Sequence, residues 1–133
     1  MPVLVVDTSV LLAVVLNEPT KATLIRLTTG TDLIAPASVH WEIGNALSAM
    51  LKRKRLTLEE AQHALIEYQK IPIRFIDVAL DDAVTIAAQS AIYAYDAYII
   101  ACARGQSVAI LTLDHGLKTA AHTAGLIVLE VTP

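Results

Sequence analysis

The sequence predicts an α/β fold on a parallel sheet, and three observations carry that expectation. Short apolar runs such as Val3-Leu4-Val5-Val6 alternate with longer stretches whose apolar residues recur at the helical period. The short runs are rich in β-branched residues and apolar at nearly every position, as suits strands covered on both faces. Turn and cap residues, Pro19, Gly30, Pro36, Gly105 and Gly125 among them, fall at the junctions.

Taken in order, residues 3–6 form the first strand, ended by Asp7, and residues 9–16 a short helix. Pro19 suits the first turn of a helix over 20–29, and Gly30 its end. Residues 33–35 form a brief strand closed by Pro36. Ser38 is a good N-cap for a long helix in which Ile43, Ala46, Leu47, Met50 and Leu51 make one apolar stripe. That helix ends in Lys52-Arg53-Lys54-Arg55, and Thr57 with Glu60 forms a capping box for a helix running to about residue 68. Residues 73–76 are the third strand, and Asp81 or Asp82 caps a helix to about residue 92. A helix over 95–104 has Gly105 at its C-terminal cap. Residues 108–112 are the fourth strand, 115–124 a helix closed by Gly125, and 126–129 the last strand.

At 133 residues the chain is expected to be one domain, residues 1–133, with room for a real core. Its apolar fraction of 55% and mean hydropathy of +0.56 are high, which calls for efficient burial or an apolar surface that meets a partner. The most apolar stretches, 3–16 and 91–103, are interrupted by aspartates and too short for the ~20 residues of a membrane span. No basic segment precedes the first apolar run, so no secretory signal is expected. A single cysteine, Cys102, excludes an internal disulfide and fits a reducing cytoplasm; it lies in an apolar helical run, as core does. The net charge of −3 argues against holding nucleic acid by charge alone.

Four acids stand near strand ends or helix starts: Asp7, Glu42, Asp96 and Asp114. Ligands of open α/β sheets bind beyond the carboxyl ends of the strands, which makes each a candidate site residue. Each also has a plain reading as a helix-start carboxylate. Asp96 is the most telling, because Ile99, Ile100 and Ala103 share its helical face and that face should be buried. An ionised carboxylate there costs several kcal/mol unless compensated, and no Lys or Arg occurs between Arg74 and Arg104. A cation held by several carboxylates would compensate it, and oxygen-only ligands favour Mg²⁺ or Mn²⁺ over zinc.

With these residues placed, the chain resembles a PIN domain, and more narrowly the small toxin ribonucleases of VapBC toxin-antitoxin modules. The matching stretches are Val6-Asp7-Thr8-Ser9-Val10-Leu11-Leu12, Glu42 with Asn45-Ala46-Leu47, Tyr95-Asp96-Ala97-Tyr98-Ile99-Ile100-Ala101, and Thr112-Leu113-Asp114, in order over essentially the full length. The resemblance implies a three-layer α/β/α sandwich with a five-stranded parallel sheet. It implies a metal-dependent endoribonuclease, the toxin of an antitoxin-regulated pair, with metal on Asp7, Glu42, Asp96 and Asp114. Thr112, Thr8 and Ser9 then supply hydroxyls near the metal or phosphate, and Asn45, one turn from Glu42, orients that carboxylate. An RNA substrate, a cognate antitoxin and a homodimer follow as expected partners, the antitoxin's tail meeting the helices over 39–51 and 57–68. Some family members carry a further acid where this chain has Leu117, which puts a second metal position in doubt.

Phosphodiester hydrolysis needs a deprotonated water and neutralisation of growing charge, both of which a divalent ion supplies. A loaded carboxylate cleft attracts phosphate, which answers the objection from net charge. Lys52 to Arg55 can guide RNA or simply complement a helix end. His40, His63, His115 and His122 show no motif spacing, and only His115, beside Asp114, merits a test; Trp41 suits packing or an interface. Two other readings stay open: a catalytically silent PIN-fold binding module, and a response-regulator-like signalling domain. The latter wants an acidic pair at the first strand and a Lys after the last, where this chain has Asp7 alone and nothing basic beyond Leu129, although Asp77 does follow the third strand.

Overall fold

The computed structural model describes residues 2–132. Its elements run β1 (Val3–Val6), α1 (Thr8–Val15), α2 (Lys21–Thr28), β2 (Asp32–Pro36), α3 (Ser38–Lys52), α4 (Leu58–Gln69), β3 (Ile73–Ile76), α5 (Leu80–Ser90), α6 (Ala94–Gln106), β4 (Ala109–Leu111) and α7 (His115–Thr123). The four strands form one sheet in the order β3-β2-β1-β4, and every pairing is parallel, with Val5 beside both Ile34 and Ile110. The central strands are dry, Val5, Val6, Ile34, Ile110 and Leu111 being fully buried, whereas β3 at the edge leaves Arg74 and Phe75 exposed.

Parallel neighbours need crossover helices, and such crossovers are right-handed almost without exception. The chain steps outward from β1 to β2 to β3, then returns past β1 to β4. With one handedness, the outward steps put α1 to α4 on one face and the return puts α5 and α6 on the other. The packing agrees: α1 touches α2, α3 and α4, whereas α6 lies on β1 and β2 with α5 against it. Ala97, Ile100 and Ala103 of α6 are fully buried, so the small residues of its inner face let it sit close on the sheet.

This order reverses direction beside β1, and the reversal leaves a crevice outside the carboxyl ends of β1 and β4, where ligands of such sheets bind. It also excludes the response-regulator-like reading, whose sheet runs 2-1-3-4-5. Among the described residues no helix is long and apolar enough to cross a membrane.

The structure corrects several local expectations. The sheet has four strands, not five: the segment over 126–129 makes only an isolated bridge, in which Ile110 N–H donates to Ile127 O and Leu129 N–H to Ile110 O, each at 2.9 Å. The physical cause is the short length of β4. Before this bridge, Leu126 N–H is spent on Ala121 O of the preceding helix, and beyond Leu111 the chain turns away to start α7. Ser38 does not cap α3, because it is already the first helical residue behind Ala37, and its hydroxyl is buried without a partner. Asp81 and Asp82 lie inside the first turn of α5 rather than capping it. Gly105 stays helical; α6 ends instead at Ser107, left-handed at φ 56°, with Val108 N–H closing onto Ala103 O at 3.1 Å. The capping box of Thr57 and Glu60 is present in both directions.

Candidate active site

Beyond the tips of β1 and β4 lies a cavity of about 90 Å³ lined by Asp7, Thr8, Ser9, Glu42, Tyr95, Asp96, Ile99, Asp114 and Leu117. All four acids singled out from the sequence therefore border one small space, delivered by three helix starts and the first turns of α3. Asp7 caps α1 and Asp114 caps α7, while Asp96 sits in the first turn of α6. Each meets the positive end of a helix dipole, which partly compensates its charge. A roomier cavity of about 600 Å³ lies between the end of α1 and α4, but its lining, from Val15 to Ile66, brings no such set of acids together. The acids singled out from the sequence gather at the smaller one.

Asp7 is the anchor, only 7% exposed. Its Oδ1 accepts from Ser9 Oγ at 2.6 Å and from Val10 N–H at 3.3 Å, and its Oδ2 accepts from Thr112 Oγ1 at 2.7 Å. The hydroxyls are themselves held: Leu113 N–H donates to Ser9 Oγ and Asp114 N–H to Thr112 Oγ1, each at 2.9 Å. With those amides as donors, both hydroxyls must direct their protons at Asp7, so the network welds the ends of β1 and β4 around an acceptor. Burial pushes the Asp7 carboxyl upward, and the bonds from Ser9, Thr112 and Val10 pull it back; Asp114 adds a small upward push. Asp7 is thus both the helix cap and a cleft acid, and the two readings of the sequence were never exclusive.

Glu42 on α3 is half-buried, and its carboxyl is pushed up to about 7, first by burial and then by Asp7 and Asp96. The Thr8 hydroxyl beside it offsets part of that rise, yet Thr8 Oγ1 is buried without completing a hydrogen bond to any partner. Asp96 is raised by burial and by Asp114. No hydrogen bond holds Asp96 among the described residues, so its plain reading as a backbone-bonded helix start fails. Asp114, more exposed, accepts from Leu117 N–H at 3.0 Å. The two ion pairs found among the described residues, Lys70 with Glu67 and Lys118 with Glu130, leave all four acids without a basic partner.

The geometry departs from the expectation for Asn45 and narrows those for the acids and Trp41. Asn45 is exposed and outside the lining, and its side chain makes no hydrogen bond to Glu42; only its carbonyl is used, by Ser48 Oγ at 2.8 Å. The four acids ring the cavity rather than close on one point: among the described residues no three His, Cys, Asp or Glu side chains form a finished metal cage. Trp41 is 74% exposed and stands edge-on to His40, outside the core. Sequence reasoning passed over Tyr95, which lines the cavity while 58% exposed; its place directly before Asp96 was the available signal. Leu117, noted for the acid it replaces, forms part of the wall.

A family model described as PIN domain matches residues 4–123. Among solved structures, PAE2754 from Pyrobaculum aerophilum has the same fold with a TM-score of 0.68 at 20% identity, covering 96% of this chain and 92% of its own. Mycobacterium tuberculosis VapC20, a Sarcin-Ricin loop cleaving toxin, gives 0.66 at 18% identity over 98% and 99%. FitAcB from Neisseria gonorrhoeae gives 0.64 at 18% identity over 96% of each chain. Identities this low establish likeness of fold. No curated protein matches the chain.

Proposed function

The chain belongs to the PIN domain family, and from that premise we propose that it is a metal-dependent endoribonuclease, the toxin of a toxin-antitoxin module, acting as one domain in the cytoplasm. The observation that carries this reading is four carboxylates around one cavity with no Lys, Arg or His in the lining. Such a set repels itself unless a cation binds, and its oxygen donors suit Mg²⁺ or Mn²⁺. The unpartnered Thr8 hydroxyl at the same place supports a ligand there as well. Asp7, Glu42, Asp96 and Asp114 would hold the ion, which when bound would supply a water of lowered pKa and neutralise charge on the phosphate.

The chain's own residues do the rest. Ser9 and Thr112 aim Asp7 and favour its ionised form against the opposing effect of burial, because both hydroxyls donate to it. Thr8 is free to donate to a phosphate oxygen, and Tyr95 and Ile99 narrow the cavity and limit water. The intact set of acids favours this reading over a silent binding module. The test is cleavage of a structured RNA by the purified chain with millimolar Mg²⁺ or Mn²⁺ and with excess chelator. Cleavage is expected only with metal; undiminished cleavage in chelator removes the metal mechanism, and none under any condition favours the silent module.

The partners follow from the apolar surface. Leu58, Leu65 and Ile66 of α4 and Trp41 of α3 are exposed, a surface of the kind that marks interfaces. We assign it to the antitoxin's tail, with a homodimer as the resting assembly. Light scattering at micromolar concentration is expected to give twice the chain mass, and a co-expressed antitoxin should co-purify. A monodisperse monomer that captures no antitoxin would overturn both.

A further inference from the structure

A second cavity, of about 200 Å³, opens beyond the carboxyl ends of β2 and β3, lined by Pro36, Ile76, Val78 and Leu80 together with Ser38, Tyr98 and the exposed Asp77. It lies at the same edge of the sheet as the carboxylate cavity, and α6 joins them. Tyr95 lines the carboxylate cavity and Tyr98 the second one, their rings 5.9 Å apart and nearly perpendicular at 85°. A chain with its phosphate among the carboxylates would therefore bring its neighbouring base to this opening.

The size fits one planar heterocycle and is below the ~300–1,000 Å³ of ordinary small-molecule pockets. Largely apolar walls and an aromatic ring suit a base unstacked from single-stranded RNA, which proteins hold by stacking and read on its Watson–Crick edge. Asp77 is exposed and takes part in neither ion pair found among the described residues. A carboxylate here repels the RNA backbone, so its favourable use is with a base edge rich in donors. Guanine alone presents two adjacent donors, N1–H and N2–H, that meet both carboxylate oxygens. Adenine and cytosine set an acceptor beside their amino group, and uracil sets its one N–H between two carbonyls.

From this juxtaposition we infer that the cavity under Tyr98 and Asp77 is a guanine subsite that fixes which phosphodiester bond reaches the carboxylates, an inference that rests on the nuclease reading. The experiment has two arms. In the first, the full chain without metal is titrated with guanosine, adenosine, cytidine and uridine and followed by ¹⁵N-HSQC spectra. Guanosine is expected to bind about tenfold more tightly than the others, as a bidentate contact provides, with the largest shifts near Asp77 and Tyr98. Asp77→Asn should erase that preference, and Tyr98→Ala should weaken all four by about tenfold. Should Tyr98→Ala fail to fold, Asp77→Asn at an exposed position still decides.

In the second arm, RNA oligomers that differ in one base beside the cleaved bond are compared by kcat/KM with Mg²⁺. Guanine is expected to be preferred by wild type and not by Asp77→Asn. Equal binding of the four nucleosides, binding of none, or a guanine preference that survives Asp77→Asn overturns the subsite. Cleavage without base preference removes the subsite and leaves the nuclease reading, whereas guanosine binding without any cleavage removes the nuclease reading.

Discussion

Replacing Asp96 by Asn is expected to lower Mg²⁺-dependent RNA cleavage by at least about a thousandfold, a loss of several kcal/mol of transition-state stabilisation, while the chain stays folded. The size follows from the role assigned to the acid. A ligand carboxylate that becomes an amide loses its charge and one metal-binding oxygen together, and the remaining acids hold the ion more weakly and in a changed position. The fold should survive because Asp96 makes no hydrogen bond among the described residues and shares only the α6 face whose anchors, Ile99, Ile100 and Ala103, remain buried. Asp7→Asn should be equally inactive but less stable. Its amide nitrogen must face either the Ser9 and Val10 donors or the Thr112 hydroxyl, leaving a buried donor opposite a donor, at a cost of about 1–3 kcal/mol. Cleavage rates with circular dichroism melts of both variants check this. An Asp96→Asn protein that retains cleavage within tenfold of wild type would sink the metal site.

The metal-free protein is expected to become more stable as pH falls from about 8 to about 5, the reverse of a salt-bridged carboxylate. Glu42 titrates near 7 in the folded chain against 4.5 as its ordinary value, mainly through burial and then through Asp7 and Asp96. Between those two values the native state binds protons that the unfolded chain has released, so each step up in pH favours unfolding until the folded group has ionised. Asp7 and Asp96 are also raised, which acts in the same direction. The Glu42 shift alone would be worth about 3 kcal/mol at 1.36 per unit. The group is half-exposed, and solvent screening reduces this to about 1–2 kcal/mol. Glu42→Gln should therefore stabilise the metal-free chain at pH 8 by that amount, as an active site eased of repulsion does, and should flatten the pH dependence. Asp96→Asn should act likewise by ~1 kcal/mol. The same gain is not expected from Asp7→Asn, because Asp7 also caps α1 and ties β1 to β4. Millimolar Mg²⁺ should stabilise wild type by mass action and these variants much less. Thermal melts from pH 5 to pH 8, in chelator and in Mg²⁺, decide it. A wild type that loses stability on acidification through this range, with Mg²⁺ shifting every variant equally, would show that the acids do not share one repulsive site.

Much of the candidate site was legible because its signals are local. Asp7 ends an apolar strand, Asp114 follows one, and Asp96 breaks the stripe made by Ile99, Ile100 and Ala103; such positions can be read from spacing alone. Asn45 misled for the same reason, since one helical turn guarantees a shared face but not that both side chains face the cleft. Tyr95 was passed over because an aromatic residue before an acid has no pattern to distinguish a cavity wall from ordinary surface.

The alternation of apolar runs and helical stretches determined the α/β class, the parallel pairing and nearly every element, because burial on both faces leaves its mark in consecutive residues. Even the capping box at Thr57 was written in four residues. Strand order was not, since it depends on which edge each crossover reaches, a choice made by the packing of α1 to α4 on one face and α5 and α6 on the other. Nor was the loss of the fifth strand, which turned on a three-residue β4 offering Ile110 alone as a partner. The convergence of Asp7 with Thr112, 105 residues apart in the chain and 2.7 Å apart in space, was decided by the parallel register of β1 against β4. That register carries the tip of each strand to the same level, and it turns four scattered acids into the lining of one cleft.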